Sequence, residues 1–153
     1  MPYFSQQTID ELTAGLAELS PQLRSLKSGC IGLVLANERA REYLQHGLSR
    51  RLSAMVHAVQ TVFELLPPTQ EAIPENVTVM DATACIQNFV MNAFGCLENL
   101  AWIWVLEKNI RGKGGAELGR FDIGLGKIYV HRSLSAEFQA FLQEGLFLPA
   151  WLV

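Results

Sequence analysis

The sequence predicts an all-α protein, a bundle of four or five helices in one domain covering residues 1–153. Three observations carry this. Apolar residues recur at three- and four-residue intervals along most of the chain, period-two alternation is weak, and helix start and stop signals bracket the apolar runs. With half of its 153 residues apolar, the chain is long enough to bury a core.

The first helix is expected to start at Thr8. Thr8 and Glu11 have the spacing of a capping box, in which the hydroxyl and the carboxylate each satisfy a free backbone N–H. Ile9, Leu12, Leu16 and Leu19 then share a face. Ser20-Pro21 is a second start signal, because a hydroxyl caps and proline is harmless at the first helical position. From Asn37 to Leu66 the periodicity is strong, through Leu44, Leu48, Met55, Val59, Val62 and Leu66, and Pro67-Pro68 ends it. Residues Thr69 to Asn76 read as a loop.

The next helix, capped by Thr78 or Asp81 and running to about Asn109, is apolar on nearly every side. It is expected to be the buried centre of the bundle. It is also about long enough to cross a bilayer at roughly 1.5 Å per residue. Gln87, Asn88, Asn92, Glu98 and Asn99 interrupt it, and an acid near the middle of a span costs about 2.5–3.5 kcal/mol, so a buried helix is preferred and no membrane is expected. Arg111 to Lys127, with six glycines in GKGGAELGRFDIGLGK, reads as a loop. Ser133 or Ser135 then opens a short helix with Leu134, Phe138, Phe141 and Leu142 on one side, before the uncharged tail LFLPAWLV.

A net charge of −3 provides no global attraction to nucleic acid or anionic lipid. Three separated cysteines, Cys30, Cys85 and Cys96, form neither a CxxC pair nor a disulfide framework, so a reduced, cytoplasmic chain is expected. No secretory signal is visible in MPYFSQQTIDEL. The histidines and cysteines never reach metal-ligand spacing, and the glycine–lysine runs lack the GxxxxGK[ST] spacing, so neither metal nor cofactor is expected.

Candidate functional residues lie mainly on the 37–66 helix. At about 100° per residue, Arg39, Tyr43, His46, Arg50 and His57 fall near one line, a surface suited to phosphate oxygens and base stacking. A solvated helix face is the structural alternative. On the apolar helix, Glu98 needs a cation or water, and Arg50 and Arg51 are its natural partners in a tie that, with Asn99, would fix helix register. Asn88, Asn92 and Asn99, with Gly95 and Trp102, form a second stripe, either amides bonded across a helix pair or a polar pocket for a small molecule.

Arg41 and His46, as Arg-x4-His, resemble the Arg-x4–6-His signature of HEPN ribonucleases. That resemblance implies an arginine that orients phosphate and a histidine that assists proton transfer in metal-independent RNA cleavage. The segments NERAREYLQHGLSRRLSAM, VFELLPP, NFVMNAFGCLENLAWIWVLE and DIGLGKIYVHRSL are together similar to an uncharacterised bacterial family with EYLxHGxxRR, FPP and NxFGxLDNLAW blocks. The similarity covers Asn37 to Leu142. It falls on Tyr43, His46, Gly47, Arg50, Arg51, Pro67, Pro68, Asn92, Phe94, Gly95, Leu97, Asn99, Leu100 and Trp102, with Glu98 where aspartate is usual.

The family continues into a helix with a further Arg-x4-His run, HEPN-like in appearance. This chain ends at Val153 before it, so the resemblance implies a C-terminally incomplete or non-catalytic member. The apolar tail from Leu146 to Val153 is expected to expose apolar surface and favour association. The leading expectation is a HEPN-like helical module that binds a partner protein, itself or RNA without catalysis. Its rivals are the ribonuclease and the small-molecule bundle.

Overall fold

The computed structural model describes residues 3–145, so the expected apolar surface from Leu146 to Val153 lies outside the described residues. These residues are all-α, with helices α1 (Gln6–Gly32), α2 (Glu38–Glu42), α3 (Ser49–Leu65), α4 (Asn76–Lys108), α5 (Ile128–Ser133) and α6 (Ala136–Gly145). A π turn, Tyr43–Leu48, joins α2 to α3, so residues 38–65 form one uninterrupted helical run. Among the described residues no strand forms.

The chain folds into two compact units. The first comprises Met1–Leu33 and Ser49–Gly95; the second comprises Val34–Leu48 and Cys96–Val153.

In the first unit α1 starts earlier than Thr8. Ser5 is the cap, its hydroxyl accepting the Thr8 N–H at 3.2 Å. Gln6 donates to Asp10 at 2.8 Å and Gln7 to Glu11 at 2.9 Å, tying down the added turn. Nor does a new helix begin at Ser20-Pro21. Pro21 lies inside α1, and the Ser20 hydroxyl accepts from Gln60 Nε2 at 3.2 Å instead of capping. An interior proline costs about 3 kcal/mol, which the packing of a 27-residue helix on α3 offsets. Lys27 to Ser53 (2.8 Å) and Ser20 to Gln60 pair in opposite chain order, so α1 and α3 are antiparallel.

The helix expected to be the buried centre is buried chiefly in its C-terminal half, at Cys96, Asn99, Ala101 and Val105. Along the N-terminal part of α4, Ala82 is fully buried, yet Val77, Met80, Met91 and Phe94 are 59, 71, 72 and 70 % exposed, and Val79, Ile86 and Val90 are exposed too. Periodicity could not warn of this, because a helix apolar all round gives no sign of which faces find partners. An apolar groove of about 160 Å³ separates α3 from α4, between Val59, Val62 and Phe63 on one side and Cys85, Ile86 and Phe89 on the other.

In the second unit Ala101, Val105, Ile123 and Val130 form the core, with Trp102, Trp104, Ile110, Leu118 and Leu125 packed against it. Trp104 Nε1 donates to the Ser133 hydroxyl at 2.8 Å, which donates to the Val130 carbonyl at 2.6 Å. Ser133 therefore closes α5, a helix too short to register as a period, and Ser135 opens α6 by accepting the Phe138 N–H at 3.2 Å. Leu134 and Leu142 are buried as expected, whereas Phe138 and Phe141 stack on each other in the open at 6.0 Å.

The glycine-rich segment is more ordered than its composition suggests. Arg111 and Glu117 make an isolated antiparallel bridge and a 2.9 Å ion pair, and Gly114 and Gly115 adopt φ of 71° and 81°, which favour glycine.

Candidate functional site

Asn37 organises the second unit's polar corner. Its side-chain oxygen accepts the Ala40 N–H at 3.1 Å and so starts α2. Ahead of it, the Ala36 and Asn37 N–H groups donate to the two oxygens of Glu107 at 2.9 and 3.1 Å. Those donors, with help from Lys108 and Arg41, hold the Glu107 carboxyl below the usual glutamate range.

One turn apart on this start, Arg39 and Tyr43 both reach Trp102. The Tyr43 ring stacks on Trp102 with centroids 5.4 Å apart and planes 4° off parallel, and the Arg39 guanidinium lies 5.8 Å from its centre. A cleft of about 290 Å³ opens beside Trp102, bordered by Asn37, Arg39, Asn109, Arg111 and Glu117 over an apolar floor that includes Val105 and Ile123. Much of its polar rim is engaged internally: Arg111 with Asn109 and Glu117, Asn37 with the α2 start.

The predicted residues therefore divide. Arg39 and Tyr43 meet at Trp102, which the sequence had placed in the asparagine stripe. Arg41, His46, Arg50 and His57 are exposed, and neither Arg41 nor His46 borders the Trp102 cleft. The straight stripe assumed 3.6 residues per turn from Arg39 to His57; the π turn between them breaks that period.

The expected tie of Glu98 to Arg50 and Arg51 presumes a buried carboxylate that calls for a cation, and Glu98 is exposed. Arg51 turns instead to Asn92, donating to its side-chain oxygen at 3.5 Å, while Asn92 donates to the carbonyl and side-chain oxygens of Asn88 at 2.9 and 2.7 Å. Arg51 occupies the space over Gly95 that was expected to admit another helix. Asn99 is 7 % exposed, lies against Gly47, and finds no hydrogen-bond partner for its Nδ2 among the described residues. Among the described residues no group of three or more His, Cys, Asp or Glu side chains is placed to hold a metal ion.

The largest feature that sequence reasoning missed is the outer face of α4. Val77, Val79, Met80, Thr83, Ala84, Ile86, Gln87, Val90, Met91 and Phe94 are all exposed, and on a helix they cover one half of the circumference. Asp81 is the sole charge between Val77 and Phe94, at the edge of that face. Monomeric proteins rarely expose so continuous an apolar surface. Its signal in the sequence is the all-round apolarity of the segment, which burial and an exposed docking face share. No family model, curated protein or solved structure matches the chain.

Proposed function

We propose that this chain is a non-catalytic helical module that binds another protein chain through the outer face of α4. The observation that carries the reading is the run of exposed apolar side chains from Val77 to Phe94. A protein partner fits better than RNA, since the face has no arginine or lysine to meet phosphate, and Arg39 and Tyr43 are already engaged with Trp102. It also fits better than catalysis, because Arg41 and His46 stand exposed. Although α4 is long and apolar enough to cross a membrane, Asp81, Gln87 and Asn88 are among its exposed residues, and polar groups there are costly in lipid.

The test is the accessibility of the face in cells. A cysteine at Gln87, labelled with a maleimide in intact cells and in dilute purified protein, should react more slowly in cells, while one at exposed Gln143 should react alike in both. Equal rates at position 87 would overturn the reading. So would protection that accompanies a membrane pellet resistant to alkaline carbonate, which would assign the face to lipid.

A further inference from the structure

The exposed face of α4 has a finer pattern than apolarity. Val77, Met80, Ala84, Gln87, Met91 and Phe94 follow one another at alternating intervals of three and four residues. That is the spacing of the a and d positions of a heptad, whose 3.5-residue period keeps one seam facing a partner helix. All six side chains are exposed. Ala82, on the side of the helix opposite the seam, is buried within the first unit. The helix is thus packed on one side and on the other carries a coiled-coil seam left exposed among the described residues.

We infer that the occupant is a second copy of this chain, its α4 laid antiparallel on the first about a two-fold axis between Ala84 and Gln87. This rests on the reading of α4 as a protein-docking face and names its partner. Antiparallel coiled-coil pairing sets a against d, and the seam is self-complementary in that sense. Val77 meets the partner's Phe94, Met80 meets the partner's Met91, and Ala84 meets the partner's Gln87. Each small or medium side chain faces a larger or flexible one, with none left over. The two Gln87 amides flank the axis, where a polar pair in an apolar seam fixes register and orientation.

Charge selects the same direction. The next seam position after Phe94 is Glu98, which is exposed. Parallel pairing would set two Glu98 carboxylates face to face, whereas the antiparallel register leaves each beyond the end of the paired segment. Area sets the strength: the exposed side chains of Val77, Met80, Val90, Met91 and Phe94 limit the contact to several hundred Å² per copy, below the roughly 800 Å² per partner of a standard stable interface, which fits a dimer that dissociates on dilution. An isologous contact of this kind closes on itself as a dimer.

Sedimentation velocity of the purified full chain should show a dimer that dissociates on dilution. Met91→Glu should sediment as a monomer with an unchanged far-ultraviolet circular dichroism spectrum. A benzophenone photocrosslinker at position 80, in a mixture of isotopically light and heavy chains, should attach across copies to the peptide containing Met91. The two copies' position 80 lie about 16 Å apart along the axis in this register and side by side in a parallel one.

A wild type that stays monomeric overturns the pairing, as does a dimer that survives Met91→Glu. Crosslinking to the peptide around Met80 overturns the antiparallel register. Protection of position 87 from maleimide in a dilute monomer would assign the seam to the chain's own residues and overturn the proposal too. A monomeric wild type still leaves the wider reading to the in-cell labelling experiment, which requires no second copy.

Discussion

Gly47 lies so close to Asn99 that a Cβ at position 47 would come within 2.6 Å of the Asn99 amide nitrogen. The glycine falls inside the π turn, between buried Leu44 and buried Leu48, so the helix meets Asn99 at its narrowest point. Gly47→Ala should therefore destabilise the fold by about 1–3 kcal/mol despite alanine's better helix propensity. Urea unfolding of Gly47→Ala, Asn99→Ala and the double variant would measure it. The double variant should lose less than the sum of the singles, since removing the amide makes room for the methyl group.

At Gly95 the neighbour is the guanidinium end of Arg51, a flexible group that can move away. Gly95→Ala should cost little or nothing in the native background. It should stabilise by up to about 1 kcal/mol once Arg51 is replaced by alanine, where only helix propensity remains. Equilibrium unfolding of the four-member cycle gives the coupling. The 3.5 Å bond from Arg51 to Asn92 contributes weakly at that length.

For Tyr43, the contact to Trp102 is made by the ring. Tyr43→Phe should change stability by less than about 0.5 kcal/mol, while Tyr43→Ala should cost about 2 kcal/mol, part of it the stacking contribution of roughly 0.5–1.5 kcal/mol. Urea denaturation followed by tryptophan emission would compare them.

Glu107 gives a pH dependence of defined sign. Its carboxyl is held below its ordinary value by the Ala36 and Asn37 N–H groups, so the folded state favours the ionised form more than the unfolded state does. The resulting stabilisation is complete above the unfolded glutamate pKa and is lost as pH falls through the lowered folded value. Melting temperature should therefore drop across that acidic interval in the wild type, and Glu107→Gln should flatten that part of the profile.

Arg41 and His46 are exposed, and among the described residues His46 has no hydrogen-bond partner that would orient its ring for proton transfer. Wild type, Arg41→Ala and His46→Ala should leave labelled RNA equally intact in the presence of chelator. Cleavage by the wild type that both substitutions abolish would restore the ribonuclease reading.

Much of the fold was legible in the sequence because its signals are local. Asn37 caps its helix through an oxygen three residues from the amide it accepts, and Pro67-Pro68 follows the end of α3 at Leu65. The errors at Thr8 and Pro21 arose where a second, equally local candidate competed: Ser5 offered the same cap three residues earlier, and Gln60 drew the Ser20 hydroxyl away. The site was less legible because its contacts are distant in sequence. Nothing near Tyr43 announces Trp102, and nothing near Glu98 announces that it faces solvent. A π turn leaves no composition signature of its own, yet it decides which of Arg39, Tyr43, His46, Arg50 and His57 share a face.

The carboxylate of Glu107 closes the start of α2 from 71 and 70 residues further along the chain. Each of the two units is assembled from two separate stretches of sequence, so a ribosome must deliver residue 107 before the first turn of α2 can acquire its final partners. During synthesis, a chain that has reached Gly95 holds every stretch of the first unit, while residues 34–48 must still wait for their counterpart.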